Sequence, residues 1–259
     1  IRNKRSKPAR DDKVLTDWNA MAVIALIKAA KVFDKPEWID RAKQIFDALN
    51  KEIVHCRIDG EVTSKALLDD YIWVMSAAMN LYQTDFDKTY IDCAIDIYNQ
   101  IKSEFSDVDK GGFFLSRDAI AEHRIKTIND TAIPSANAVL IHTLTDLAAL
   151  TLDQKIAQDA EDLIKTFAGE IDLAPFAMGG YLSGIHRYIN SMNIKIHAPD
   201  LNAAQPFIKA VSTQTTIHHV IEYITDDKTF VDVCYNCTCY PPIKTVDDLK
   251  KCLETLPSL

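Results

Sequence analysis

An alternation between two kinds of helix constrains this chain more than any other feature. Leu15 to Phe33 is apolar nearly all round, through Leu15, Trp18, Met21, Ile24, Leu26, Ala29 and Val32. Such a helix must be covered on most of its sides. Trp38 to Ile53 differs, because Trp38, Ala42, Ile45, Phe46, Leu49 and Ile53 fall at helical spacing and the opposite face is polar. The alternation then recurs. Ala66 to Tyr82 and Ala136 to Leu150 are apolar on most faces, whereas Tyr90 to Phe105 and Ile156 to Ala168 are amphipathic. A last helical segment covers Pro175 to Ile189. An inner helix followed by an outer helix, repeated every roughly fifty to sixty residues, gives two-shell α-hairpins. They suit an α-solenoid or a closed α/α toroid. The connections Val54 to Lys65 and Ser106 to Ile133 are long and uneven, which favours the toroid and places function on the loops.

The period changes after about Ser191. Ile194 to Ile196, Ile217 to Ile224 and Phe230 to Val233 read as short strands, and Leu201 to Val211 as a helix between the first two. Val246 to Leu256 closes the chain as a helix, with Thr245 and Asp248 at capping-box spacing. Residues 1–190 are therefore expected to form the helical-hairpin portion, and residues 191–259 a small α/β tail that carries a cysteine cluster.

The net charge of −8 disfavours nucleic acid and anionic membranes as partners, and no apolar run is long enough to span a bilayer. The start, Ile1-Arg-Asn-Lys-Arg-Ser-Lys-Pro-Ala-Arg10 followed by Asp11-Asp12-Lys13, lacks the apolar core of a signal peptide. It is expected to begin inside a longer, cytoplasmic polypeptide with reduced thiols.

Three polar clusters stand at the starts of the inner helices: Asp11-Asp12-Lys13 with Trp18-Asn19, Leu67-Leu68-Asp69-Asp70-Tyr71, and Asn129-Asp130 through Pro134-Ser135-Ala136-Asn137. Together with Val233-Cys-Tyr-Asn-Cys-Thr-Cys-Tyr-Pro-Pro242, they resemble a thioredoxin-domain-containing family that includes spermatogenesis-associated protein twenty. The resemblance runs in order along most of the chain. It implies a mainly α fold, the hairpins of a partial (α/α)6 toroid similar to six-hairpin glycosidases and N-acylglucosamine 2-epimerases, with the small α/β appendage behind it. It also implies an upstream thioredoxin-like domain and first toroid half, both absent here, so the exposed inner helices are expected to self-associate. Ala20 and Ala136 stand where the family usually has glycine.

An inner-helix rim with unpaired amides, carboxylates and an aromatic face suits a carbohydrate. On that reading Asp12 and Asp70 are the candidate catalytic carboxylates, and Trp18, Asn19, Asp69, Tyr71, Ser135 and Asn137 the substrate-binding set. Each also has a plain structural role to fill: Asp and Ser cap helices, and Trp18 and Tyr71 suit a core. His55, His123, His142 and His186 are the available epimerase-type bases, and none sits in a recognisable motif. No cofactor or metal is called for. Cys234-Tyr-Asn-Cys237 has the spacing of a redox site or half a zinc site, with Cys239 and Cys252 as further ligands, yet the following Pro241-Pro242 forbids an immediate helix. Buried structural thiols are the favoured reading. The family pattern implies a Cys-x4-Cys pair at Cys234 and Cys239. The competing functional expectation is a non-catalytic scaffold for the upstream redox domain.

Overall fold

The computed structural model describes residues 5–7, 9–119, 123–212, 218–235 and 238–256. A two-residue strand β1 (Val14–Leu15) leads into α1 (Thr16–Phe33), which turns back along α2 (Glu37–Asn50). The hairpin β2 (Cys56–Ile58) and β3 (Glu61–Ser64) precedes α3 (Leu68–Asp85) and α4 (Thr89–Phe105). A long loop then reaches α5 (Ala136–Thr151), α6 (Gln154–Phe167) and α7 (Gly179–Ile189).

The two-shell pattern decides the packing. α3 and α5 bury most of their surface, including Ile72, Val74, Met75, Leu81, Leu140, Ile141 and Leu144. α2 and α6 bury single stripes, Ala42 with Phe46 and Ile156, Ala160, Leu163 with Phe167. Their remaining faces are polar, as amphipathic outer helices require. One apolar cluster joins these helices. The inner helices are not uniformly apolar, however. Trp73, Ser76 and Asn80 on α3, and His142 and Asp146 on α5, form half-buried polar stripes at helical spacing. Large exposed apolar side chains include Val32 and Phe33 on α1, and Leu173 and Phe176 before α7.

The three hairpins turn alike. Each inner helix ends on a left-handed residue, Asp34, Phe86 or Leu152, whose N–H returns to a carbonyl of the last helical turn. Glycine is the usual occupant of that position, and none of these three is glycine.

The tail is built from β4 (Met192–Ala198), α8 (Leu201–Ser212), β5 (Val220–Thr225), β6 (Phe230–Tyr235), β7 (Thr238–Cys239) and α9 (Val246–Thr255). The sheet order is β5-β4-β6-β7, with β4 and β5 parallel across α8 and the other pairs antiparallel. A parallel pair needs a crossover of this kind. Met192, Ile194, Ile196, Val231 and Val233 form its core, together with Tyr82 of α3 and Phe86 just after it. The Gln83 side chain donates to the Ile221 carbonyl at 2.8 Å and accepts from the Ile221 N–H at 2.9 Å, so a helix residue serves the margin of β5 as a strand would. Thr245 caps α9 as its spacing suggests, accepting from Asp248 N at 3.2 Å.

Cys234 and Cys239 stand opposite each other across β6 and β7 and are joined by a disulfide. This corrects the expectation of reduced structural thiols at the pair, because strand register brings the two side chains face to face. It also removes both from any set of zinc ligands. Cys237 and the first residue of the strand expected at Ile217 lie outside the described residues. Cys56, Cys93 and Cys252 are free thiols. Among the described residues no helix is long and apolar enough to cross a membrane.

Candidate functional site

The starts of α1, α3 and α5 meet at one end of the helical layer, around a cavity of about 280 Å³. Asp17, His55, Asp69, Asn129, Ser135 and Asn137 line it. Local rules set each wall. In α3, Asp70 is the third residue and its carboxylate accepts from the Leu67 N–H at 2.8 Å, so it caps its own helix. The same carboxylate accepts from the Asp17 N–H at 3.2 Å, which binds the first turn of α1 to that of α3. At α5, Ser135 caps by accepting from Ala138 N at 3.2 Å, and its hydroxyl donates to the Ile128 carbonyl at 2.9 Å. Asp130 accepts from Ser135 N at 2.9 Å and Gly180 N at 2.6 Å, tying α5 to α7. A Cβ on Gly180 would lie 2.8 Å from an Asp130 carboxylate oxygen, so a larger residue would have to push that side chain aside.

His55 comes from a segment with no helical period. It sits just before β2, held by its carbonyl accepting from Thr16 N at 3.1 Å and its N–H donating to the Ser64 carbonyl at 3.1 Å. Strand β1 pairs with β2 through Leu15 and Cys56, which carries the imidazole to the mouth of α1. The β2–β3 turn is Asp59-Gly60, both with positive φ, the usual chemistry of a tight hairpin.

His55 Nδ1 stands 3.1 Å and 3.3 Å from the two carboxylate oxygens of Asp70. With the proton on Nδ1, the imidazole donates to Asp70 and keeps Nε2 as an acceptor. Asp70 is fully buried and Asp17 nearly so. Burial, opposed by the Leu67 N–H and His55, pushes the Asp70 carboxyl up to about 6. Asp69 moves in the same direction, first through burial and then through the charge of Asp17. Asp17, His55 and Asp70 each bring a ligand atom within 4.8 Å of the others, a spacing open to a cation. Yet the Asp70 oxygens already accept from Leu67, Asp17 and His55, which suits an oriented imidazole beside a second carboxylate.

The expected site residues divide. Asp69, Ser135 and Asn137 line the cavity and Asp70 lies directly behind it. Asn137 is committed to holding the loop, accepting from Phe113 N and donating to the carbonyls of Phe113 and Thr127, all at 3.0 Å. Tyr71 is buried against Phe105 and its hydroxyl meets Arg117. Trp18 is 62% exposed and Asn19 donates back to the Leu15 carbonyl at 2.8 Å. Asp12 is exposed and paired with Arg10. These last four are not among the cavity's lining residues. Of the two Gly-to-Ala positions, Ala20 is buried in the core and Ala136 contributes its methyl to the cavity wall. Asp17 was not marked by the sequence pattern, and His55 was one of four candidate bases with no motif to single it out. The Asp59-Gly60 dipeptide was the available signal for the hairpin that delivers His55.

No family model matches the chain. It is 24% identical over 196 residues to spermatogenesis-associated protein 20 of Rattus norvegicus and of Homo sapiens, covering 68% of this chain and 25% of each relative. It is 22% identical over 203 residues to an uncharacterised protein of Caenorhabditis elegans, covering 72% of this chain and 28% of the relative. The chain thus spans about a quarter of the length of the curated relatives it matches. Homology with spermatogenesis-associated protein 20 agrees with the resemblance carried by the motifs. Among solved structures, an unsaturated glucuronyl hydrolase specific for heparin aligns at a TM-score of 0.55 and 21% identity, over 71% of this chain and 61% of that one. A GH76 α-mannanase of Bacteroides thetaiotaomicron aligns at 0.51 and 15%, over 64% and 47%. Cellobiose 2-epimerase of Spirochaeta thermophila aligns at 0.50 and 14%, over 65% and 46%. The fold is that of the α/α toroid proteins.

Proposed function

We propose that the cavity at the starts of α1, α3 and α5 binds a carbohydrate and moves a proton on it, with His55 as the base. The single observation that carries this reading is the His55–Asp70 contact at the wall of a cavity that sets Asp17, Asp69 and Asn129 among apolar side chains. Asp70 is buried and acts through His55, so it is a positioning residue. His55 Nε2 accepts the proton, and Asp69 and Asp17 hold hydroxyl groups. The toroid neighbours, a mannanase, a glucuronyl hydrolase and a cellobiose epimerase, are enzymes of carbohydrates, which supports the ligand class.

Proton abstraction beside a sugar carbonyl fits the site better than hydrolysis. A glycosidase sets two carboxyls about 5–9.5 Å apart with the scissile bond between them. Asp17 and Asp70 offer oxygens within 4.8 Å of each other, and Asp70 is closed off from the cavity by burial.

Incubating the chain with free aldoses in D₂O tests the reading. Deuterium uptake at the carbon beside the carbonyl is expected. His55→Ala should lower it by about 10²–10⁴-fold. Asp70→Asn should lower it and displace the pH profile, and Asp70→Glu should recover part of the loss. A chain that binds no sugar and exchanges no deuterium would overturn the proposal in favour of the scaffold reading. The structural commitments of Ser135, Asn137 and Tyr71 speak for that second reading, in which an upstream thioredoxin-like domain carries the chemistry.

A further inference from the structure

A second cavity of about 280 Å³ runs along the polar stripes of the inner helices. Its walls include Lys28 of α1, Trp73 and Asn80 of α3, His142 and Asp146 of α5, and Ser183 of α7. Pro134 lines both this trough and the His55 cavity, so the two adjoin.

Cationic groups collect here on a chain whose net charge is −8. Arg187 stands behind the wall, 2% exposed, and holds the lining residue Asp146 through Nε at 2.7 Å and Nη2 at 2.5 Å. Its Nη1 is buried with no partner. The His218 ring stands 6.2 Å from that of His142, and the charges of Arg187, Asp146, His186 and Lys28 all act on it. Asp146 thus stands beside Arg187, with Lys28 and His142 lining the same trough and His218 next to His142. The indole N–H of Trp73 is likewise buried without an acceptor.

Such a collection is short of acceptors. A buried donor left unpaired costs free energy, and the native remedy is a partner that accepts. An oxyanion supplies several acceptor oxygens and a negative charge, and guanidinium groups match its geometry. We propose that the trough between α1, α3, α5 and α7 binds a small-molecule oxyanion, a carboxylate or a phosphate group, in contact with Lys28, His142 and the donors around Asp146. This site stands independently of proton transfer at His55.

The test is a titration of the intact chain with inorganic phosphate and with D-glucuronate, with neutral glucose as control. Histidine imidazole resonances and calorimetry provide the readouts. Saturable binding of either anion is expected, with the His142 and His218 signals moving and their titration midpoints rising, while glucose moves neither. Burial lowers the pKa of both rings in the free chain, so a bound anion should raise it. Binding of phosphate alone identifies phosphate esters as the source, and binding of glucuronate alone identifies carboxylates. Lys28 is exposed, so Lys28→Gln should fold normally and weaken binding by about tenfold. Arg187→Lys reports on the guanidinium if it folds. The proposal falls if neither anion shifts the two imidazoles at about 10 mM, above the range of even a weak specific site. It also falls if Lys28→Gln binds both anions as the unaltered chain does.

Discussion

Asp70 concentrates three jobs in one carboxylate: it caps α3, anchors the first turn of α1 and orients His55. The arrangement has a cost that pH can reveal. Its folded-state pKa is raised from 3.8 to about 6, so between those values the native chain holds more protons than the unfolded one. Its contribution to stability is therefore complete below about pH 3.8 and is lost as pH rises through about 6. The shift corresponds to roughly 3 kcal/mol. Asp70→Asn should flatten the fall in melting temperature across that window, leaving a smaller slope from Asp69, whose pKa moves the same way. Parallel profiles for the two proteins would show that burial does not strain this group. At this scale the sequence was partly informative. Asp69, Asp70, Ser135 and Asn137 stood out because polar residues at the start of an apolar helix break its pattern. Asp17 hid inside the first turn of α1, and His55 lies outside every periodic segment. Its role depends on strand pairing that no local spacing announces.

The helices themselves were legible, with ends within about four residues of those observed, because burial on one or several faces writes its period directly into the chain. The sheet formed by β1, β2 and β3 was not. Its strands have two, three and four residues, and β3 is exposed throughout, so no apolar alternation marks it. The left-handed helix ends make a sharper case. Leu152 has φ 55° and is 68% exposed. A Cβ there costs about 1–2 kcal/mol, whereas glycine's extra chain entropy costs about 0.5–1 kcal/mol. Leu152→Gly should therefore stabilise the chain by about 0.5–1 kcal/mol in denaturant melts. Phe86 has the same backbone, but its ring is buried against Tyr82 and Tyr223. Phe86→Gly should destabilise by about 3–5 kcal/mol. Opposite signs at two identical turns are the outcome to look for; equal signs would mean that backbone conformation, or packing, rules both.

On the scale of the molecule, the helical layer and the tail sheet share Tyr82, Phe86 and the Gln83 amide. Removing that amide by Gln83→Ala should cost about 1–3 kcal/mol and speed hydrogen exchange at the Ile221 N–H. Unchanged exchange at Ile221 would show that apolar contact alone seats the sheet. The junction could not be read from sequence, since a glutamine near the end of a helix carries no mark of a strand 138 residues further on.

The same amide has a bearing on how copies of this chain behave when crowded together. β5 and β7 are the outer strands of the tail sheet, and open outer strands invite recruitment of foreign chains into amyloid-like stacks. Gln83 occupies one margin at Ile221, and the opposite margin ends in a two-residue strand pinned by the Cys234–Cys239 bridge. Both flanks are obstructed by covalent or hydrogen-bonded stops, a form of protection against fibril growth that is installed as the fold closes.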